Sequence, residues 1–154
     1  MRSSLQQALL IVLLGLGLGV LFNAASPKGI PFITPPKAPL NPEELITLEQ
    51  AKEVWQAGAT FFLDARAPAD FAAGHIANAF NLPADAFEEH WPRIAPMLSV
   101  DAPLVIYCDG EECELSHRLK DKLGQAGYRK VKILHNGWTL WHKAGLATQS
   151  GSGP

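Results

Sequence analysis

Cysteine is scarce in this sequence: there are two in 154 residues, Cys108 and Cys113. Two are too few for a disulfide framework, so they make one bridge or serve chemistry. An excess of positive charge is also lacking. Net charge is −2, and no basic stripe or aromatic-basic repeat occurs, so nucleic acid is not an expected partner. Charged residues make up 18% of the chain and apolar residues 47%, a balance that suits one globular domain.

What the N-terminus lacks is an acid. "MRSSLQQALLIVLLGLGLGVLF" carries one basic residue, Arg2, and every residue from Ala8 to Phe22 is apolar or glycine. As a helix those fifteen residues rise about 22 Å, against a hydrocarbon core of about 30 Å. Residues 1–22 therefore read as an uncleaved membrane anchor, the alternative being a signal segment removed near "FNAAS". Arg2 and the α-amino group keep the N-terminus cytoplasmic. The domain is then expected on the extracytoplasmic, periplasmic side, or secreted if the segment is cleaved. Gly15 and Gly19 form a small-xxx-small pair that would favour a weak homodimer.

Residues 23–45 hold six prolines, a density that makes neither helix nor central strand, and so read as a stiff linker. The domain is expected over 46–146, with a disordered tail at 147–154. Thr47 and Gln50 have capping-box spacing ahead of a helical stripe that Gly58 ends. "TFFL", "NAFN", "PLVIYC" and "RKVKIL" read as strands. Residues 84–98 read as helical with interruptions near Pro92 and Pro96. Leu115, Leu119, Leu123 and Ala126 mark a further helix closed by Gly127. Strands alternating with helices predict an α/β fold, a parallel sheet with helices on both faces. Ligands then bind beyond the carboxyl ends of the strands, where Cys108 falls.

Three stretches in order, "FLDARAPADFAAGHIANAFNLP", the strand ending in Cys108 with its loop and helix, and "GYRKVKILHNGWTLWHKAGL", together resemble the rhodanese-like domain of the sulfurtransferase superfamily. The resemblance implies a central parallel sheet and a loop that cradles a cysteine sulfur. It also implies a reaction in which that cysteine takes a sulfane sulfur from a small donor as a persulfide and passes it to a thiol or protein acceptor, with no cofactor and no metal. Cys108 matches the nucleophile. The cradle would be the amides of Asp109, Gly110, Glu111, Glu112 and Cys113, with Asp64 and Arg66 as supporting residues. His75 in "AGHIAN" would hold a local turn, the alternative being a catalytic acid or base, and Trp138 and Trp141 would be core or pocket wall.

The loop departs from the family pattern. No Lys or Arg follows Cys108 until Arg118, and the spacing from Cys108 to Tyr128 is about two residues longer than the pattern. A loop curling into a helix N-terminus favours a thiolate by about 0.3–1 kcal/mol, whereas a carboxylate about 6 Å away disfavours it by roughly 0.7 kcal/mol in water. The acids thus argue against thiosulfate as donor. Several alternatives stay open. Cys108 taken alone is a buried strand-end thiol. Cys113 is a candidate resolving thiol that would turn the protein into a persulfide reductase or redox sensor. A binding module without turnover is a third reading. Cys108, Cys113 and His117 lack the compact spacing of a zinc site. A phosphatase-like loop would need an arginine where Glu114 stands.

Overall fold

The structure is a computed structural model that describes residues 2–26, 41–110 and 114–152; most of the proline linker, together with Glu111, Glu112 and Cys113, lies outside them. The chain separates into two units, residues 1–39 and 40–154. In the first, helix α1 spans Arg2–Ala25, three residues beyond the expected anchor. Its apolar stretch Ser3–Ala25 has 23 residues, about 35 Å at 1.5 Å per residue. By length and composition it suits a membrane anchor or a signal sequence.

In the second unit Asn41 caps a short 3₁₀ turn at Pro42–Glu44. Helix α2, Leu48–Gln56, starts with both halves of the Thr47–Gln50 capping box in place. Strand β1 is Phe61–Asp64, followed by helix α3, Pro68–Ala73, and the two-residue strands β2, His75–Ile76, and β3, Phe80–Asn81. Helix α4, Phe87–Ile94, precedes strand β4, Leu104–Tyr107. Helix α5, Glu114–Gln125, strand β5, Val131–Leu134, helix α6, Gly137–Lys143, and strand β6, Thr148–Gln149, complete the order.

β3, β1, β4 and β5 lie side by side in that order, all parallel. The register aligns Asn81, Asp64, Tyr107 and Leu134 in one row at the carboxyl edge. The chain leaves β1 toward β3 on one side and returns to β4 on the other. The reversal falls between β1 and β4, the place where open parallel sheets bind ligands.

Side chains alternate across the sheet with period two. Leu63, Leu104, Ile106 and Cys108 pack with Phe87 and Ile94 of α4 and Leu119 and Leu123 of α5. Phe62, Val105, Tyr107 and Leu134 pack with Ala51 of α2, Phe71 of α3 and Trp141 of α6. Each face thus has its own helices, and each large side chain so buried contributes about 1.5–3 kcal/mol. α6 can come this close because it begins with glycine: a Cβ on Gly137 would sit 2.7 Å from the Tyr107 Cβ.

Two expectations need correction. The tail from 147 is not disordered where it is described. β6 pairs antiparallel with β2, His75 opposite Gln149, and the Gly151 N–H reaches the Ala72 carbonyl at 2.9 Å. A polar, glycine-rich composition hides this because the order comes from backbone hydrogen bonds to a distant strand. Nor does Pro92 interrupt the 84–98 segment, since α4 continues through it. Its missing donor would have served only Glu88, an exposed residue in the first turn. The break comes at Pro96, inside a 3₁₀ turn at Ala95–Met97.

Candidate active site

The β1 end of the row is a closed polar network. Asp64 is fully buried and Arg66 nearly so. The Arg66 Nε donates to both Asp64 oxygens at 3.0 and 3.1 Å and its Nη2 donates to Oδ2 at 2.6 Å. The Arg66 backbone N–H adds a fourth bond at 2.9 Å. Nη2 also donates to the Gly74 carbonyl at 2.7 Å, and Asn81 Nδ2 bridges the Asp64 and Arg66 carbonyls at 3.2 and 3.0 Å. Burial works against the Arg66 charge, but Asp64 outweighs it and the guanidinium is held above its ordinary pKa. The Trp138 ring lies 4.7 Å from the guanidinium carbon. A side chain on Gly74 would meet that ring at 2.9 Å, which is why a glycine precedes His75.

Beside it, the Tyr107 hydroxyl accepts the Ile76 N–H at 3.1 Å. Burial, with the Asp64 charge adding to it, pushes the phenol's pKa up. His75 holds the local turn as expected, its Nδ1 2.8 Å from the Phe71 carbonyl and its ring stacked on Phe71. Trp141 is fully buried in the core.

The β4 end leads into the loop. Cys108 is 1% exposed, and its carbonyl accepts the Trp138 N–H at 3.0 Å. It is disulfide-bonded; the sequence has one other cysteine, Cys113, outside the described residues. Gly110 has φ +84°, and its N–H donates to Asp109 Oδ1 at 2.9 Å and Asn136 Oδ1 at 3.1 Å. Side-chain oxygens therefore hold one of the amides expected to cradle sulfur, because a carboxylate and a carboxamide beside a glycine turn are the nearer acceptors. Glu111, Glu112 and Cys113 of the expected cradle lie outside the described residues. Thr139 Oγ1 donates to Asp109 Oδ1. Glu114 opens α5 and is exposed. Among the described residues no three His, Cys, Asp or Glu side chains group as metal ligands.

A pocket of about 440 Å³ opens between the two ends, lined by Arg66, Asp70, Ala73, Gly74, Asp109, Leu115 and Trp138. It unites residues after β1 with residues on either side of the loop, at the reversal of strand order. Asn81, Asn136 and Thr139 are not singled out by the sequence. Of these only Asn136, directly after a strand and before Gly137, carries a local signal, that of a turn.

A family model described as the rhodanese-like domain matches residues 47–144. Among curated relatives, HTH-type transcriptional regulator Rv0324 of Mycobacterium tuberculosis is 33% identical over 112 residues, 73% of this chain and 47% of the relative. The tRNA uridine(34) hydroxylase of Photorhabdus laumondii is 30% identical over 106 residues, 66% of this chain and 26% of the relative. The chain thus spans less than half the length of either protein. Among solved structures, a thiosulfate sulfurtransferase from Pseudomonas aeruginosa is 28% identical with a TM-score of 0.57, over 70% of this chain and 20% of that one. The BH2092 protein of Bacillus halodurans, at 22% identity and a TM-score of 0.61 over 71% of this chain and 78% of that one, shares the fold.

Proposed function

The chain belongs to the rhodanese-like domain family, and from that premise we propose that it is a sulfurtransferase in which Cys108 carries the sulfur. The observation that supports this most is the position of Cys108. It directly follows β4 at the point where strand order reverses, and the residues bracketing its loop line the pocket. A dithiol reductant first opens the disulfide. The Cys108 thiolate then attacks the terminal sulfur of a donor. A new Cys–S bond forms, the donor's S–S bond breaks, and the donor remnant leaves with the electron pair. An acceptor thiolate takes the outer sulfur and Cys108 leaves as thiolate. Asp64 and Arg66 hold the pocket wall and do not touch the reacting atoms.

The disulfide-bonded state of Cys108 favours a second reading. If Cys113 is the partner, its thiolate would attack Cys108 Sγ of the persulfide and expel hydrosulfide. The two thiols are oxidised to a disulfide and the sulfane sulfur is reduced to sulfide. Such a module would report or discharge sulfane sulfur without an external acceptor. Both readings put the domain on the extracytoplasmic side, held by α1 with Arg2 inside; a persistent disulfide is at home there.

One experiment separates them. The reduced full-length chain, in neutral detergent, is incubated with sulfur donors and weighed by intact mass spectrometry. We expect a gain of one sulfur atom, absent in Cys108→Ser. An adduct that decays to the disulfide with matching sulfide release selects the second reading, and no adduct with any donor sinks both.

A further inference from the structure

The charged side chains around the pocket are not equivalent. Arg66 supplies the pocket's positive charge, but its Nε and Nη2 donors are directed at Asp64 and Gly74. Asp70 and Asp109 line the same hollow. Asp70 is in no ion pair among the described residues, and Asp109 is bonded by two neutral donors, the Gly110 amide and the Thr139 hydroxyl. Asp109 adds only the smallest of the influences that keep Arg66 charged. Once Asp64 has neutralised Arg66, the lining keeps two negative charges. Leu115 and Trp138 complete it with apolar wall.

We infer that the substrate admitted here is an ammonium-bearing sulfane-sulfur compound, such as the persulfide of an aminothiol, and that small dianionic donors are turned away. This rests on the reading of Cys108 as the sulfur-carrying residue. The ammonium group sits against Asp70 and Asp109, the short carbon chain against Leu115 and Trp138, and the sulfur faces the carboxyl end of β4, where Cys108 follows. For a donor R–S–SH, the Cys108 thiolate takes the terminal sulfur and R–S⁻ leaves with the bonding pair. A cation gains in a negatively lined cleft what a dianion loses twice over.

The test uses the reduced full-length Cys113→Ser chain, which leaves Cys108 as its one thiol, in neutral detergent. Three methanethiosulfonate reagents of similar size are compared: trimethylammonioethyl, methyl and sulfonatoethyl. Each rate is divided by that of the same reagent with a small free thiol. One thiolate faces all three, so its ionisation cancels in the ratios. We expect the order cationic, neutral, anionic, with at least about tenfold between the extremes at low salt, narrowing as salt rises. Asp70→Asn should shrink that span about threefold, and so should Asp109→Asn, which keeps the oxygen that Gly110 and Thr139 use. The reagents need only a thiolate, so the charge order can hold or fail whether or not a persulfide forms. Equal rates, an anionic preference, no reaction at all, or a span that neither substitution moves would each overturn the inference.

Discussion

Asp64 and Asp109 belong to neighbouring strand ends at the same edge of the sheet, and their carboxylates have opposite fates. Asp64 is buried and takes four hydrogen bonds from Arg66. Asp109 is exposed and is oriented by an amide and a hydroxyl without being neutralised. A charge removed from water must be matched or it unfolds its surroundings; a charge left in water can be aimed at whatever enters. The pocket therefore has one wall whose charges are spent on structure and one whose charge remains for the ligand. Residue type alone does not separate the two roles.

Breaking the paired wall should have the largest effect. Arg66→Ala leaves the Asp64 carboxylate buried without a counter-ion, and should cost about 3–5 kcal/mol in urea unfolding. Arg66→Lys should recover only part of this, because a single ammonium cannot reproduce the two-nitrogen fork on Asp64. A loss below about 1 kcal/mol for Arg66→Ala would mean that Asp64 is as well solvated as Asp109, and the contrast would vanish.

Tyr107→Phe should come next. It strips the acceptor from the Ile76 N–H in β2, and an orphaned buried donor costs about 1–3 kcal/mol. The pH dependence sharpens the assignment. The folded phenol is held above its ordinary value, so the fold favours the neutral form. That contribution is fully present below the unfolded tyrosine value of about 10 and declines as pH rises past it. The wild-type chain should lose stability on the alkaline side more steeply than the Tyr107→Phe variant; identical alkaline limbs in the two chains would remove Tyr107 from the network.

What could be read from the residues was local. The apolar run Leu104–Tyr107 ending at Cys108, the Thr47–Gln50 spacing, and the stripe Leu115, Leu119, Leu123 each announce an element through period or cap, and the alternation of strands with helices gives the parallel sheet. What stayed hidden is held by bonds between residues far apart in the chain. Asn81 spans Asp64 and Arg66, Asn136 takes the Gly110 amide across 26 positions, and β6 completes β2 from the end of the chain. None has a spacing that a window on the sequence would catch. The same reason explains the cradle: a glycine in an acidic loop announces a turn, but not which oxygen its amide will choose.

The smallest change in stability is expected where the charge is free. Asp109→Asn keeps an oxygen for Gly110 and Thr139 and has no buried counter-charge to strand, so unfolding should shift by less than about 0.5 kcal/mol. Its effect belongs to reactivity instead. Removing a carboxylate one residue from Cys108 removes a charge that opposes the thiolate, worth roughly 0.7 kcal/mol at about 6 Å in water. In the Cys113→Ser chain at neutral pH, adding Asp109→Asn should therefore make alkylation of Cys108 by uncharged iodoacetamide about threefold faster. A carboxylate that helped to order the loop would give the reverse, a slower reaction and a clear loss of stability together, and would place Asp109 with Asp64 among the structural charges.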